Sequence, residues 1–567
     1  MSEEIMYSDF ADKRAVSLYS KGEMKSFIVD LSIEKSSGKE VRYLPNEDAF
    51  VKEVEENLSD ILVVWDARQL KNWKLKNKII VDIRDSYEVK VRPLSLRLND
   101  VAVDEGFIPR EELVEEYEKG YLVNLLSHTS DNASWISKLD RKYHFTDSLY
   151  SLMRLVDAPN IDYVMHGSIL PIELLLTRIA KERGESLPKI KDTAKEGRWY
   201  EGGFVLEPPV GLFSNVAIMD FSKYYPSLMM DFNLSPEVTK IVDSKPILDF
   251  KKRGLIPEAL EYLTKTRNEL EEKLGKTKSE DPEWLRLTSD REAVKVTQNA
   301  MYGALASDQF SLKSRDLASF ITSLGREGLR ETILECERRG FKVLYADTDS
   351  VMAQVPLEKA ETLARELTLH LQDYFKEKYD LPISKWELRL KFSKYAKTMI
   401  FHGKKNYAFW DGKNVEIVGL FRQARSHFAQ RFQEEFYGMV LKGSPLKDLQ
   451  SFVDRQLVEF RQASIEEVAL CTKINQRIDQ YKVASWHIKG AKNAQDLLGI
   501  KFEVGDTIKL VWLKDKPDII GFEYEEQIAK FKDRVDCKRM EESLLSLVKP
   551  VLEILGRGKE TKQKTLF

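Results

Sequence analysis

Two aspartates one residue apart, Asp347 and Asp349, lie in the stretch Tyr345-Ala346-Asp347-Thr348-Asp349-Ser350. Carboxylates so spaced at a strand turn can face one divalent cation. A third, Asp220, ends the apolar run 216–219, which reads as a buried strand leading into Tyr224-Tyr225-Pro226-Ser227. Hard cations such as Mg²⁺ are held by a few carboxylates together with substrate phosphates, and paired cations clamp the attacking and leaving oxygens of an in-line displacement. The chemistry suggested is phosphoryl or nucleotidyl transfer. By itself Asp-Thr-Asp is equally the composition of an exposed turn, because these side chains bond nearby backbone amides. The segments 342–345 and 351–355 flank it as strands, so the acids are expected at a hairpin tip.

Between the acidic strands, residues 291–305 read as a helix in which Lys295, Asn299 and Tyr302 recur at i, i+4 and i+7 and share one face. Such a face could hold phosphate oxygens and stack a base, or be a solvated amphipathic surface. Residues 257–274 read as a second helix carrying Arg267, and the polar link 275–282 predicts an antiparallel helical hairpin. Cations on neighbouring helices suit a polyphosphate tail.

These elements must be carried by a large scaffold, and 567 residues with 43% hydrophobic content provide several ordinary folded cores. No apolar run reaches the roughly 18 residues of a membrane span, and the N-terminal residues lack a secretory pattern, so a soluble cytoplasmic protein is expected. Cys336, Cys471 and Cys537 are too few and dispersed for a disulfide framework or a zinc site. The formal charge of -3 hides an uneven distribution: residues 391–567 carry 32 Lys and Arg against 24 Asp and Glu. A basic C-terminal third could lie along a phosphate backbone or be a solvated surface. High Lys and Glu content is also compatible with a thermophilic origin.

Three segments in order, Asp220-Phe221-Ser222-Lys223-Tyr224-Tyr225-Pro226-Ser227, Lys295-Val296-Thr297-Gln298-Asn299-Ala300-Met301-Tyr302-Gly303 and the Asp347/Asp349 hexapeptide, resemble motifs A, B and C of family B DNA polymerases. Tyr200-Glu201-Gly202-Gly203 looks like the family's YxGG linker, and Lys404-Lys405-Asn406-Tyr407 like its KKxY primer-template motif. Residues 472–492 are similar to the DNA-gripping base of the thumb. The resemblance covers the last two-thirds of the chain strongly and the first third weakly, and is closest to the short archaeal B-type paralogues with a disrupted 3′-5′ exonuclease.

The resemblance implies an α+β, multidomain, right-hand polymerase preceded by a degraded exonuclease-like (ribonuclease H-like) α/β domain. The expected division is 1–195 for the N-terminal remnant and exonuclease-like domain, 196–245 and 311–430 for the palm, 246–310 for the fingers, 431–555 for the thumb and 556–567 for a flexible tail. It implies that Asp220 and Asp349 ligate two Mg²⁺ ions, with Mn²⁺ able to substitute, and that Asp347 stands nearby. Arg267, Lys295 and Asn299 would meet the triphosphate of the incoming dNTP, Tyr302 would stack near it, and Tyr225 would exclude a 2′-hydroxyl. Lys404, Lys405, Tyr407, Arg425, Lys473, Lys482 and His487 would grip primer-template DNA.

The chain departs from the family where Lys223 and Tyr224 replace Ser-Leu, which suggests an altered nascent base-pair pocket and relaxed selectivity. Glu271 replaces a second cation beyond Arg267, and in Ala424-Arg425-Ser426 only Arg425 is retained. In the N-terminal third the strand-like 60–66 aligns with the second exonuclease motif, Asp66 replacing Asn and Lys71 the catalytic Asp. The first motif keeps Asp30 and has Ser32 for Glu, and the third has Met153 for Tyr before Asp157. An ammonium in a two-metal site repels the ions it should hold, so no proofreading is expected. The alternative is an unrelated domain with a plain core strand. The chain also looks short ahead of the palm.

Gln563, Leu566 and Phe567 resemble a sliding-clamp peptide, or simply a disordered end. The expected function is template-directed DNA synthesis in an accessory, repair or lesion-bypass role, with a nucleoid location if archaeal. A catalytically silent DNA-binding scaffold and, less so, a primase or RNA-templated polymerase are the alternatives.

Overall fold

In the computed structural model the described residues are 5–11, 15–20, 23–28, 40–43, 47–70, 73, 75, 78–108, 125–190, 201–242, 245–419, 425–483 and 485–564. They form two compact units, Met1–Leu174 with Thr266–Lys295, and Leu175–Lys265 with Val296–Phe567. Helices Leu255–Lys276 and Pro282–Ala304 each contribute one end to each unit.

The first unit is built on a mixed sheet of strands β1 (Ile5–Ala11), β2 (Ala15–Ser20), β3 (Glu23–Ile28), β4 (Glu40–Tyr43), β5 (Ile61–Val64) and β6 (Ile79–Asp82), in the order β4-β3-β2-β1-β5-β6. Strand β1 runs antiparallel to β2 and parallel to β5, which runs parallel to β6. All four residues of β5 are buried, as expected of a parallel strand covered on both faces. Helix Leu125–Tyr143 packs across β1 and β2, with a buried 2.8 Å hydrogen bond between the Ser17 and Thr129 hydroxyls. The helical-hairpin ends in this unit are tied by Arg154, which donates to Asp290 over 2.8 Å.

The second unit holds an antiparallel sheet of β7 (Gly211–Phe221), β10 (Lys342–Asp347), β11 (Ser350–Gln354), β12 (Leu390–Gly403), β13 (Asn406–Trp410) and β14 (Val415–Val418), in the order β10-β11-β7-β12-β13-β14; a separate hairpin joins β8 (Thr239–Val242) and β9 (Lys245–Leu248). Val216, Ile218, Leu344, Tyr345, Met352, Met399, Phe401 and Phe409 form a buried cluster on this sheet. Helices Arg315–Arg338 and Leu357–Tyr379 pack on each other and against its strands.

C-terminal to it, β15 (Leu470–Lys473), β16 (Thr507–Trp512) and β17 (Ile519–Phe522) make a small antiparallel sheet. Val511, Ile520 and Phe522 of that sheet share a core with Phe432, Phe436, Phe452 and Phe460 of helices His427–Leu441 and Leu446–Gln462. The fold is thus mixed α+β and multidomain.

Two expectations differ at their edges. The helix expected from residue 291 begins at Pro282, since the polar residues before 291 include good helix formers and a proline suited to a first turn. The segment from Gly556, expected to be a flexible tail, is helical through Lys564: in helix Lys549–Lys564 the good helix formers Leu, Lys, Glu and Gln outweigh the cost of Gly556 and Gly558, and no proline follows Pro550. Leu566, Phe567 and the side chain of Gln563 lie outside the described residues, as do Asp30, Ser32 and Lys71.

Candidate active site

Strand β7 is central, and its register sets the site. Asp220 pairs with Ser350 of β11 on one side and Lys391 of β12 on the other. Because Asp347 pairs with Ser350 across the β10-β11 turn, Asp347, Asp349 and Asp220 meet at one end of the sheet. The Phe221 N–H donates to the Asp349 carbonyl over 2.7 Å, which fixes the turn against the strand end.

Burial lifts the Asp220 carboxyl above the ordinary carboxylate range, against the lowering effects of a hydrogen bond from Ser393 and the charge of Lys394. The Asp349 carboxyl is lifted as well, first by the protein beneath it and then by the Asp220 charge, although the residue keeps an exposed edge. Both groups therefore hold protons more tightly than a free carboxylate, chiefly because burial disfavours the charged form, with the neighbouring Asp220 charge adding to the effect at Asp349.

Asp347 is engaged differently. Its Oδ1 accepts from the Thr348 hydroxyl (3.0 Å), and its Oδ2 accepts from the Tyr345 hydroxyl (3.0 Å) and pairs with Lys405 Nζ (3.1 Å). The Lys405 N–H in turn donates to Tyr345 Oη over 3.1 Å, so a buried tyrosine links the turn to the β12-β13 loop. Among the described residues, no group of three or more His, Cys, Asp and Glu side chains is arranged to hold a metal. The Asp220 and Asp349 pair still suits Mg²⁺, which needs only one or two protein carboxylates when substrate phosphates complete its shell, and whose charge would relieve their repulsion.

Behind the acids, Tyr224 is 3% exposed, stacks on Phe221 with ring centres 4.2 Å apart, and donates to the Gly325 carbonyl over 2.8 Å. The expectation that its ring lines a base-pair pocket is therefore corrected: the ring fills the core between β7 and helix Arg315–Arg338. Two glycines make the room, since a Cβ at Gly325 would come within 2.8 Å of Tyr225 and one at Gly328 within 2.5 Å of the Tyr224 hydroxyl. Tyr225 is half-buried and meets Tyr302, ring centres 4.7 Å apart. Lys223 Nζ donates to the Thr264 hydroxyl over 3.2 Å.

On helix Pro282–Ala304, Lys295 and Asn299 are exposed along the expected face, with Lys295 paired to Glu292 at 3.2 Å. Arg267 is paired to Glu271 at 3.0 Å, so the acid that replaces a second cation holds the guanidinium on its own helix.

Of the basic residues, Lys404 pairs with Glu207 at 3.0 Å, and the ring of Tyr407 lies 5.9 Å from that of Tyr345. Further along the chain, the Arg425 guanidinium sits over Trp486 (5.1 Å). The His487 ring packs edge-on against Tyr481 and Trp486. Burial, then Arg425, holds the His487 imidazole below its ordinary range. Lys473 lies in β15 and Lys482 is exposed beyond it.

In the first unit, Asp66 follows β5 and is buried at 8% exposure. Arg68 Nε donates to both its oxygens (2.9 and 2.8 Å) and Arg84 pairs with it at 3.3 Å. Met153 is half-buried on helix Phe145–Val156, and Asp157 is an exposed, left-handed residue ending that helix.

Sequence reasoning missed Ser393, whose bulge in β12 between Phe392 and Lys394 turns it toward Asp220. It also missed Asn233, with φ +52, whose Nδ2 donates to the Asp249 and Lys252 carbonyls (2.6 and 2.9 Å) and whose Oδ1 accepts from Gly254 N–H (3.0 Å). Asn233 thereby pins the approach to helix Leu255–Lys276. A polar residue in an Asn-Leu-Ser-Pro turn is the one sequence signal available for it.

Comparison with known proteins gives a consistent picture. The sequence profile of DNA polymerase family B matches residues 162–555. The chain is similar to a DNA polymerase of Archaeoglobus fulgidus, 28% identical over 466 residues, which is 78% of this chain and 57% of that protein. It is also similar to a DNA polymerase of Thermococcus gorgonarius, 29% identical over 480 residues, covering 79% and 60%. The chain thus spans less than two-thirds of the length of these relatives. Its fold resembles that of the family B DNA polymerase from the hyperthermophilic archaeon Pyrobaculum calidifontis, with TM-score 0.64 over 97% of this chain and 78% of that one at 20% identity.

Proposed function

The chain belongs to DNA polymerase family B, and we propose from that premise that it extends a primer 3′ end with deoxynucleotides on a DNA template. The observation that carries the proposal is the Asp220 and Asp349 pair, brought together by sheet register and fastened by the Phe221 to Asp349 hydrogen bond. Two bound Mg²⁺ ions, or Mn²⁺ in their place, would supply charge neutralisation for the attacking hydroxyl and the leaving pyrophosphate. Asp220 and Asp349 would hold them, and Asp347, already bonded by Tyr345, Thr348 and Lys405, would place Lys405 beside the primer terminus. Tyr225, braced by Tyr302, would bar a 2′-hydroxyl. Arg267, Lys295 and Asn299 would orient the triphosphate, Arg267 leaving Glu271 to do so.

In this reading residues 196–245 and 311–430 act as palm, 246–310 as fingers and 431–555 as thumb; Lys404, Tyr407 and Arg425 of the palm and Lys473, Lys482 and His487 of the thumb would follow the DNA backbone. Proofreading is proposed to be absent. What supports this is Lys71 at a catalytic acid position and an Asp66 carboxylate already neutralised by Arg68 and Arg84. Degradation of a mismatched primer that Asp30→Ala abolishes would overturn it. A polymerase without editing fits repair or lesion bypass in the nucleoid. Clamp docking through Gln563, Leu566 and Phe567 is testable by deleting residues 563–567 and measuring clamp-stimulated synthesis.

The deciding experiment is primer extension with Mg²⁺ by wild type and Asp349→Ala. Extension by the wild type alone is expected; no metal-dependent extension by either would favour a silent DNA-binding scaffold.

A further inference from the structure

The β10-β11 turn places two residues, Thr348 and Asp349, between the paired Asp347 and Ser350. Of the two, Thr348 alone has positive φ, +57. A two-residue hairpin turn with positive φ at its first central residue favours glycine there, and a β-branched residue in the left-handed region is an outlier. Such a conformation persists only where the surroundings over-determine it.

The surroundings are the segment 201–206. The Thr348 N–H donates to the Phe204 carbonyl (2.8 Å), and the Leu206 N–H to the Ala346 carbonyl (2.9 Å), so Val205 bridges Asp347 as a short extra strand. Gly203 lies directly against the Thr348 side chain: a Cβ there would come within 2.5 Å of the Thr348 hydroxyl oxygen and 2.9 Å of its methyl. Gly203 has no positive φ, so what the position requires is space. The segment is itself anchored to helix Arg315–Arg338. Thr322 donates to the Glu201 carbonyl (3.0 Å), Arg326 to the Gly202 carbonyl (2.7 Å), and the Arg330 guanidinium covers the Phe204 ring (4.9 Å).

We propose that Gly203 and the segment around it are a positioning element for the catalytic turn, holding Thr348 in the conformation that aims Asp347 and Asp349 at the reacting atoms. The proposal rests on the polymerase reading of those acids. In this role Gly203 acts through Thr348.

The test compares wild type, Gly203→Ala, Thr348→Gly and the double variant by amide hydrogen exchange over residues 342–354 and by single-turnover primer extension. Gly203→Ala is expected to exchange faster in that hairpin and to lose about a hundredfold in the extension rate, the scale of an ångström-sized misplacement, with primer-template affinity unchanged. Thr348→Gly removes the atoms that the new methyl would strike and sits easily at positive φ, so the double variant should match Thr348→Gly alone. Wild-type exchange in Gly203→Ala, or defects that simply multiply in the double variant, overturns the proposal. Should Gly203→Ala not fold, Thr322→Val cuts one anchor without adding bulk. Faster hairpin exchange is expected there, and wild-type exchange overturns the idea. Failure of the wild type to extend any primer sinks the polymerase reading, while the exchange arm still decides the positioning claim.

Discussion

The Phe221 amide donates to the Asp349 carbonyl across 2.7 Å, so the strand that presents Asp220 also sets the turn that presents Asp349. The two acids are therefore held near each other by backbone, and the cost of keeping both charged is one the fold carries when no cation is bound.

That cost has a measurable sign. Both carboxyls have folded-state pKa values above the unfolded ones. Their charged forms therefore weaken the fold above the raised pKa, and the penalty fades as pH falls through it. Asp349→Asn is expected to raise the melting temperature of the metal-free protein at pH 7, with the gain shrinking toward pH 4 and in millimolar Mg²⁺. The same variant should lose more of its extension rate than the roughly hundredfold typical of an outer-shell metal partner. A melting temperature lowered at pH 7 would contradict the first part.

Tyr224 is expected to matter for stability and not for nucleotide choice. Tyr224→Phe removes one buried hydrogen bond to the Gly325 carbonyl, which keeps its place in the helix ladder, and should cost about 0.5–1.5 kcal/mol in denaturant unfolding. Misinsertion frequencies should stay at wild-type values, whereas Tyr225→Ala should admit ribonucleotides. A fidelity change in Tyr224→Phe would return the ring to the pocket.

Asn233→Ala removes the bonds that hold 249–254 before helix Leu255–Lys276. With the Gly254 N–H buried and the Nδ2 bonds part-buried, a loss of about 1–3 kcal/mol is expected in equilibrium unfolding. Because Arg267 rides on that helix, the dNTP KM should rise more than kcat falls. An unchanged KM would separate the anchor from nucleotide binding.

Asp231 accepts the Glu387 and Leu388 N–H groups, both at 2.9 Å, and burial pushes its carboxyl up to about 7. A raised folded pKa means a fold that strengthens as pH falls from 8 toward 4. Asp231→Ala should lower stability by about 1–3 kcal/mol, since one buried and one part-buried donor lose their acceptor, and should flatten this part of the pH profile. An identical pH profile in the variant would assign the titration to another group.

Asp66→Ala should destabilise the first unit by about 1–3 kcal/mol, because Arg84, itself 7% exposed, and Arg68 both lose the carboxylate they pair with. Thermal unfolding monitored on the helix and strand signals reads this directly, and near-wild-type stability would show the pair to be dispensable.

The chemistry was legible where it is local. Asp347, Thr348 and Asp349 lie in one turn between two strands, and the 3.6-residue period placed Lys295 and Asn299 on one exposed face without any tertiary knowledge. The order of the three motifs was enough to identify the family that the profile match then established. What the sequence could not state is which side chains those residues meet. Tyr224 reads as a pocket residue beside Tyr225, yet two glycines about a hundred residues later open the notch that swallows it. Ser393 reaches Asp220 only through a strand bulge, and Gly203 meets Thr348 only because the chain returns across the hairpin after folding. Periodicity and turn chemistry act between neighbours in the chain, so they determined the elements and the acids. Close packing acts between neighbours in space, and it alone decided that Asp347 is spoken for, that Asp349 lies within reach of the Asp220 charge, and that a glycine packs against Thr348 of the turn.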